Sequence, residues 1–420
     1  MTTLEILAAS GAAISAFMLA MTAANIRRYT RDRATGREAN SLPRVTVCIP
    51  ARNEEANIAP CVEGLLSGGY PALRVLVYDD QSTDRTPEIV RELAARDSRV
   101  SLVPMVEKTP EWNGKQHGCW RMAQFAACDD APSDWLLFTD ADVRFAPGAL
   151  SRAIAEALAR ETDWLRVPAC KGLGLISTFP RQETLSLAER LTVPMIFFIL
   201  MSYLPMGRMR ASLLPSASAG CGQFLLARRD AYDASGGHAG FKDSMHDGIK
   251  LPRAIRKAGF GTDLYDARDT VRVRMYRDWP TAWRGFAKNA FEGLGSIGLL
   301  IFVTIVHAIG HVLPWILAPL ALAGVVGGGA EGRITLGLAL LAIGLALFQR
   351  LALARAFGAG GDARECGGWV AVVLHPLGVL TMTLVQWHSW YLHITGQRAW
   401  KGRVQGQPAG VGGGAQGPRS

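Results

Sequence analysis

Long uncharged apolar runs constrain this chain most, because about 20 consecutive apolar residues are enough to cross a bilayer. The first run covers residues 6–26. Four arginines follow it at once: Arg27, Arg28, Arg31 and Arg33. Since basic residues mark the cytoplasmic end of a span, the pattern predicts an N-terminal membrane anchor that ends in the cytoplasm. A cleaved signal peptide is not predicted, because Glu5 is the only charged side chain before the run.

The C-terminal part of the chain holds further apolar runs, at residues 294–330, 334–349 and 366–397. Basic residues flank the last run on both sides: Arg350, Arg355 and Arg364 before it, and Arg398, Lys401 and Arg403 after it. Both flanks are typical of the cytoplasmic side, and three simple crossings do not satisfy both. Two alternatives follow. Either the run 294–330 folds back around Pro314, or the run 366–397 re-enters the membrane near His375.

The charge balance indicates a membrane partner and no nucleic acid. The chain has 45 Lys+Arg against 36 Asp+Glu, a formal net charge of +9, and such an excess can indicate nucleic-acid binding. Here the excess lies largely beside the apolar runs. Hydrophobic residues make up 49% of the chain and charged residues 19%, below the roughly 25% that is typical of soluble proteins. We therefore expect an integral membrane protein.

The middle of the chain alternates short β-rich runs with helical runs. Strands are predicted at 45–49, 74–78, 100–103 and 135–138, and helices at 54–66, 86–95 and 115–127. This order predicts an α/β domain, a Rossmann-like mostly parallel sheet with helices on both faces. The predicted division is an anchor and basic linker at 1–43, a soluble domain at 44–293, transmembrane helices at 294–401 and a disordered tail at 402–420.

Polar clusters follow three of the predicted strands, at the edge where parallel sheets bind ligands. The clusters contain Pro50, Arg52, Asn53 and Glu54 after the first strand, Asp79 and Asp80 after the second, and Asp140 and Asp142 after the fourth. No glycine-rich dinucleotide motif follows a strand and no P-loop is present, so neither of those nucleotide sites is predicted. Two carboxylates two residues apart suit Mg²⁺ or Mn²⁺, with diphosphate oxygens as further ligands. Taken alone, this pair is also common in solvated turns.

The ordered set of motifs resembles the family 2 glycosyltransferases of the GT-A fold. Besides the three strand-end clusters, the matching segments are 112–115, 220–229 and 245–251. His246 stands where that family usually has Glu, although Asp247 is retained. The Q-x-x-R-W motif of processive polysaccharide synthases is not present in the sequence. The pattern is more similar to membrane enzymes that glycosylate carotenoid, hopanoid-associated or ceramide-type lipids.

The resemblance implies an inverting transfer from a nucleotide-diphospho-sugar, and it implies a role for each strand-end cluster. The cluster of Pro50, Arg52, Asn53 and Glu54 would help to bind the nucleotide-sugar. Asp80, with Asp79 beside it, would accept hydrogen bonds from the base or ribose. Asp142, with Asp140, would hold Mg²⁺ or Mn²⁺ against the phosphates, and Lys115 would add positive charge there. Asp247 would be the general base, with its pKa raised by an apolar pocket.

Several further residues have open roles. His246 is an alternative base. The basic and aromatic set of Arg277, Trp279, Trp283 and Lys288 either covers the donor and shapes the acceptor opening or forms an ordinary membrane-surface belt. The apolar run 191–206 is either an interfacial helix where a lipid enters or a core helix. His307 and His311, four residues apart, are expected to be hydrogen-bond partners between helices.

The predicted function is transfer of a single sugar to the hydroxyl of a membrane lipid. The domain would face the cytoplasm from a bacterial inner membrane. Two alternatives remain: a processive polysaccharide synthase, which would need more spans, and a non-catalytic membrane scaffold with the same fold.

Overall fold

The computed structural model describes residues 1–31, 42–128, 132–358, 368–400 and 403–404. Most of the predicted linker and tail, together with Arg33, Arg364 and Lys401, lie outside this part of the chain. The strands of the described part are β1 (Val45–Ala51), β2 (Leu73–Asp79), β3 (Val100–Val103), β4 (Trp135–Phe138), β5 (Val143–Phe145), β6 (Leu173–Ser177), β7 (Arg181–Gln182), β8 (Leu225–Arg228), β9 (Gly261–Leu264), β10 (Val271–Val273), β11 (Ala399–Trp400) and β12 (Arg403–Val404).

The helices of the same described part number seventeen. They are α1 (Thr3–Tyr29), α2 (Ile58–Ser67), α3 (Thr86–Arg96), α4 (Gly114–Ala127), α5 (Ala149–Leu165), α6 (Leu187–Thr192), α7 (Met195–Tyr203), α8 (Met206–Ala211), α9 (Arg229–Ala234), α10 (Asp247–Lys257), α11 (Trp279–Ala287), α12 (Ala290–Leu294), α13 (Ile297–His307), α14 (Leu313–Leu322), α15 (Gly329–Phe357), α16 (Gly368–Val373) and α17 (His375–Ile394). Short 3-10 turns lie at Pro215–Ala217 and Gly237–Phe241, and a π turn lies at Ala308–Val312.

The main sheet of the described chain has seven strands in the order β3-β2-β1-β4-β8-β6-β9. Its pairs are parallel except for the two that β8 makes, with β4 and with β6. All four predicted strands are present, and the predicted mostly parallel sheet is confirmed. A small sheet, β5-β10-β7, lies apart from it, and β11 pairs with β12.

The alternating side chains of the strands fill two hydrophobic cores, one on each face of the main sheet. Val47 of β1 belongs to the core that packs α2, α3 and α5, whereas the neighbouring Cys48 belongs to the core that packs α4 and α10. Every residue of β1 is buried. A strand covered on both faces reads as a continuous apolar run, which explains why the sequence identified it.

Helix α2 begins four residues later than predicted, at Ile58. The residues before it form a loop in which the backbone N–H of Glu54 donates to Thr86 Oγ1 at 2.8 Å and that of Glu55 donates to Asp84 at 3.0 Å. These donors are directed to another loop, so residues 54–57 do not add a turn to the helix. Helices α3 and α4 lie where the sequence predicted them.

Three helices of the described chain are long and apolar enough to cross a membrane: α1, the rod Ile297–Leu322 and α15. The rod joins α13 to α14 through the π turn at Ala308–Val312. The alternative that this run folds back around Pro314 is therefore wrong. Pro314 is at the start of α14, next to the π turn, where the missing N–H of proline is tolerated.

The last apolar run is broken into α16 and α17 just before His375. His375 Nε2 lies 3.0 Å from His311 Nδ1, Thr383 Oγ1 lies 3.0 Å from His307 Nδ1, and Trp387 Nε1 donates to Thr304 at 3.0 Å. Helix α17 therefore runs antiparallel to α13, back towards the α/β domain. A break at His375 is what the re-entrant alternative requires, and both His307 and His311 are interhelical hydrogen-bond partners as expected.

The apolar run 191–206 contains α7, which is largely buried between the long helices. Asn25 of α1 donates through Nδ2 to the carbonyls of Met201 and Leu204, at 2.8 and 2.7 Å. Thr22 of α1 and Gln349 of α15 both contact the Ser202 hydroxyl. These polar contacts satisfy the end of α7 inside the protein, so it corresponds to the core-helix alternative.

Candidate functional site

Hydrogen bonds join the loops after β1 and β2 to each other at one edge of the sheet. Asn53, with φ 52°, accepts a hydrogen bond from the backbone N–H of Thr83 at 2.8 Å and donates its own N–H to Ser82 Oγ at 2.9 Å. Arg52 donates to the Gln81 carbonyl at 3.0 Å. Asn53 and Glu54, predicted as nucleotide ligands, thus hold the two loops together. Pro50 lies inside β1, in register with Tyr78 of β2.

Asp80 is the buried carboxylate of this edge. Its side chain is only 5% exposed, with Lys108 Nζ at 3.7 Å and an Arg52 nitrogen at 4.0 Å. The neighbouring Asp79 accepts from the backbone N–H of Ser82 at 3.2 Å. Lys108 was not identified from the sequence, because it lies in an irregular segment without a motif. The two cations give this pocket positive charge around one carboxylate.

Lys115 connects the end of β4 with the start of α10. Its ammonium Nζ lies 2.7 Å from Asp140 Oδ1 and 3.0 Å from Asp247 Oδ2. It also donates to the Gly222 carbonyl at 3.4 Å. The Lys115 and Asp247 side chains are 14% and 6% exposed, and Asp140 is 33% exposed. Three residues predicted separately from the sequence therefore form one cluster.

Hydrogen bonds at the start of α4 fix the position of Lys115 in that cluster. Asn113 caps the helix by accepting from the Lys115 backbone N–H at 2.9 Å. Its own backbone N–H donates to the Lys242 carbonyl at 2.8 Å, and Gln116 donates to the Ser244 carbonyl at 3.2 Å. These bonds tie α4 to the segment that precedes Asp247.

Close backbone approach around Asp247 requires glycine at two positions. A Cβ added to Gly222 would lie 2.2 Å from Asp247 Oδ1, and one added to Gly248 would lie 2.6 Å from the Gly220 carbonyl. The segment 220–222 and the start of α10 therefore pack backbone to backbone. Asp247 Oδ1 accepts from the Gly248 N–H at 2.8 Å. Because Asp247 is buried, it is not an exposed helix cap.

The predicted upward pKa shift of Asp247 is wrong. Burial does push the pKa up, but the Lys115 charge and hydrogen bond outweigh it and lower the pKa below its ordinary value. Burial also lowers the pKa of His246, against the opposing pull of Asp247 and Glu292. At neutral pH the site holds a neutral imidazole and a carboxylate paired with an ammonium.

The Asp140-Ala-Asp142 turn has the donor chemistry for a divalent ion. Among the described residues no group of three or more His, Cys, Asp or Glu side chains converges, so protein ligands would be few and phosphate oxygens would complete the shell. Burial lowers the pKa of Lys288, and the charge of Lys115 lowers it further. The charges of Asp140, Asp247 and Asp142 oppose this shift only in part. The two lysines and the carboxylates therefore act on one another electrostatically, as a site for a diphosphate would need.

Helix α11 and the residues before it bring aromatic groups to this region. Burial raises the pKa of Tyr276, and the charges of Asp142 and Asp140 raise it further. Tyr276 was not identified from the sequence, although it directly precedes Arg277 of the predicted basic and aromatic set. Trp283 Nε1 donates to His388 Nδ1 at 2.8 Å, and its ring is 6.0 Å from that of Trp279.

The predicted basic and aromatic set is divided by the fold. Lys288 acts on the carboxylate cluster, and Trp283 connects α11 to α17. Arg277 is exposed, and the Trp279 side chain is 42% exposed. The four residues therefore combine both alternatives, with Lys288 at the site and Trp279 and Arg277 at the surface.

Glu292 of α12 is a site residue that the sequence did not reveal. It accepts from the Met245 backbone N–H at 3.0 Å and from the Ser244 hydroxyl. Arg398, after α17, lies 3.4 Å away on the same carboxylate. Gly293 packs against the His246 ring, since a Cβ there would lie 3.5 Å from Nε2. The loop that carries Asp247 is thus bound to the segment that leads into α13.

A mostly parallel sheet with carboxylates and a lysine at its strand ends is the arrangement of a GT-A glycosyltransferase. The fold agrees with a mannosyltransferase from Pyrobaculum calidifontis, solved in complex with GDP-Man and Mn²⁺. The similarity has a TM-score of 0.54 at 21% identity and covers 93% of this chain and 99% of that one.

In the sequence comparison, residues 46–236 match Glycosyl transferase family 2. The protein is a glycosyltransferase with a family 2 domain. It is 28% identical to a 4,4'-diaponeurosporenoate glycosyltransferase of Staphylococcus haemolyticus over 276 residues, which are 64% of this chain and 67% of the relative. It is 26% identical over 269 residues to the enzyme of that name from Staphylococcus aureus USA300, covering 62% of this chain and 64% of the relative. The match thus spans about two thirds of these relatives.

Proposed function

We propose that this glycosyltransferase moves one sugar from a nucleotide-diphospho-sugar to the hydroxyl of a membrane lipid, with inversion at the anomeric carbon. The observation that carries the proposal is the Asp140–Lys115–Asp247 cluster, which lies beside the segment leading into the long apolar helix α13. A donor site and a membrane entrance therefore share one wall. The related enzymes named for a carotenoid acceptor support an apolar acceptor.

The donor would bind along the carboxyl ends of the strands. Asp80 would accept hydrogen bonds from the base or ribose, in the pocket where Lys108 and Arg52 lie near its carboxylate. The diphosphate would lie between Lys115 and Lys288, because two ammonium groups compensate its charge. Asp140 and Asp142 would hold a divalent ion, Mg²⁺ or Mn²⁺. When bound, that ion would stabilise the negative charge of the leaving diphosphate.

Asp247 would take the proton of the acceptor hydroxyl during a single in-line displacement. The oxygen–carbon bond to the acceptor forms as the bond from the sugar to the diphosphate breaks, and the proton goes to an Asp247 oxygen. Lys115 contacts Asp247 in the structure. In our proposal it shifts towards the diphosphate when donor binds, which frees the Asp247 carboxylate and makes it a stronger base. His246, neutral at pH 7, is the alternative acceptor of that proton.

The orientation that we propose places the catalytic domain in the cytoplasm of a bacterial cell, below the inner membrane. Helices α1 and α15 lie parallel, since Ala8 near the start of α1 packs in one cluster with Ala339, and Thr22 nearer its end contacts Gln349. Both helices have basic residues in their last turns, Arg27 and Arg28 in one and Arg355 in the other. These basic ends lie on the side of the catalytic domain. The positive-inside rule assigns that side to the cytoplasm.

A radiolabel transfer assay tests the proposal. The purified full chain in detergent, with Mg²⁺ or Mn²⁺, is given a panel of labelled nucleotide-sugars and a bacterial lipid extract. We expect label in the organic phase, at one sugar per acceptor, that disappears in the Asp247→Asn variant. Label in a large water-soluble polymer would instead show a processive synthase. Donor binding without turnover against every lipid fraction would contradict the proposal and favour a scaffold.

A further inference from the structure

A cavity lined by arginines lies away from the catalytic cluster, where the C-terminal end of α1 meets α8. Its volume is about 450 Å³, and its lining consists of Ala24, Arg27, Arg28, Arg31, Gly207 and Arg210. Four guanidinium groups from two distant parts of the chain thus surround one space. The space lies at the end of a membrane-spanning helix, which is the depth of the lipid headgroups.

One of the four arginines is a fixed part of the frame. Arg210 Nε lies 2.7 Å from Asp263 Oδ1, and its two terminal nitrogens donate to the carbonyls of Arg28 and Leu264, each at 2.9 Å. These bonds engage all three nitrogens of the Arg210 guanidinium. They also fasten the end of α1 to strand β9 of the catalytic domain, so the cavity has a rigid wall.

The positive charges of the other three arginines are not neutralised by a carboxylate of the described residues. Arg27, Arg28 and Arg31 are exposed, and no carboxylate of the described residues lies within ion-pair distance of any of them. Like charges held together repel one another unless an anion lies between them. The Arg28 guanidinium lies over Gly207, where an added Cβ would be 3.6 Å from Nη2. The absent side chain at Gly207 therefore leaves the cavity open beside that charge.

We propose that this cavity binds the phosphate of an anionic phospholipid headgroup. Arginine is suited to this ligand because its planar guanidinium can form two parallel hydrogen bonds to phosphate oxygens. The lipid would lie against α1 with its chains along the membrane-facing surface. Its headgroup would neutralise Arg27, Arg28 and Arg31 and hold the joint between the membrane anchor and the catalytic domain. This site is separate from the donor and acceptor sites proposed above and does not depend on them.

Native mass spectrometry of the full chain, released from nanodiscs of mixed phosphatidylglycerol and phosphatidylcholine, tests the site. We expect the wild type to retain phosphatidylglycerol selectively. The double variant Arg27→Ala/Arg31→Ala should reduce that retention by roughly tenfold or more, since each arginine near an anionic headgroup contributes about a factor of five. The matched control is Arg208→Ala/Arg355→Ala, which removes two exposed charges on the same side of the membrane but outside the cavity.

A second pair of variants fills the cavity without removing an arginine. Gly207→Glu should place a carboxylate beside Arg28 and displace the lipid, whereas Gly207→Gln, of equal size but neutral, should reduce retention much less. Equal loss in the two double variants would show a diffuse basic surface and overturn the proposal. Release of the lipid by millimolar inorganic phosphate would show a soluble anion site and overturn the lipid assignment. Thermal unfolding in detergent checks that each variant is folded.

Discussion

The Lys115 ammonium lies 3.0 Å from Asp247 Oδ2 while also contacting Asp140 at 2.7 Å, so one cation neutralises two buried or half-buried carboxylates from different strand ends. The pKa of Lys115 is raised well above its ordinary value, because the attraction of Asp140 and Asp247 exceeds the opposing effect of burial. Lys115 is therefore charged in any physiological buffer. This relationship connects the proposed phosphate site to the proposed base.

The first prediction separates binding from chemistry. Asp142→Ala should abolish metal-dependent binding of the donor, whereas Asp247→Asn should keep donor binding and lower transfer by about 10²–10⁴, the usual contribution of a general base. Isothermal titration with the nucleotide-sugar, with and without metal, measures the binding, and label transfer measures the rate. An equal loss of binding in the two variants would contradict the proposed division of roles.

The second prediction concerns the pH dependence that Lys115 imposes. With Lys115 present, the pKa of Asp247 lies below 3.8, so the carboxylate is ionised throughout the neutral range and is protonated only at lower pH. In Lys115→Met the burial of Asp247 remains while the compensating charge is lost. The acidic limb of kcat/KM should therefore move to higher pH. Lys108→Met, which affects Asp80 instead, should weaken donor binding without moving that limb; a shared shift would refute the pairing.

The third prediction assigns Glu292 a positioning role. Glu292→Ala removes the acceptor of the Met245 N–H and of the Ser244 hydroxyl, and so frees the loop that carries Asp247. We expect kcat to fall by about tenfold or more with little change in donor affinity, since small misplacement of a catalytic group lowers the rate strongly. Glu292→Gln, which keeps an oxygen acceptor, should recover part of the rate. A purely structural role would lower the unfolding temperature of both variants and leave their kcat values equal.

The fourth prediction concerns stability and pH at Glu189, which is fully buried and forms two hydrogen bonds with Arg274, at 2.8 and 3.2 Å. Burial raises its pKa, but the bonds from Arg274, Ser186 and Leu185 outweigh this and lower it from 4.5 to about 2. The folded-state pKa is depressed, so the stabilisation is complete above about pH 4.5 and is lost as the pH falls towards 2. It amounts to about 3 kcal/mol at neutral pH.

Thermal unfolding of Glu189→Gln in detergent, as a function of pH, measures this contribution. The variant should be clearly less stable than wild type at pH 7, and the difference should shrink below pH 4.5. The control is Glu183→Gln, because Glu183 and Arg272 form an exposed pair at 3.7 Å that contributes little. A difference between Glu189→Gln and wild type that does not vary with pH would show that another effect is responsible.

Much of the architecture could be predicted because buried strands and membrane spans have local signatures. The strands at 45–49 and 135–138 are short runs without a charged residue, and the 6–26 run is long enough to cross a bilayer. The start of α2 was misplaced because the backbone N–H groups of residues 54 and 55 donate to Thr86 and Asp84, which lie in a distant loop. The fold-back at Pro314 was wrong because a π turn, which has no sequence signature of this kind, absorbs the proline.

Local patterns along the chain were sufficient for the α/β class, the strand-end carboxylates and the presence of membrane helices, because periodicity and motif order are properties of neighbouring residues. The pKa of Asp247, the role of Glu292 and the arginine cavity depend on charges and carbonyls brought from remote elements. Electrostatic effects depend on distance in space and on burial, and neither is encoded in spacing along the chain. For this reason the sequence predicted that Asp247 was important but gave its pKa shift the wrong sign, and only the folded chain, with Lys115 beside it, decided that sign.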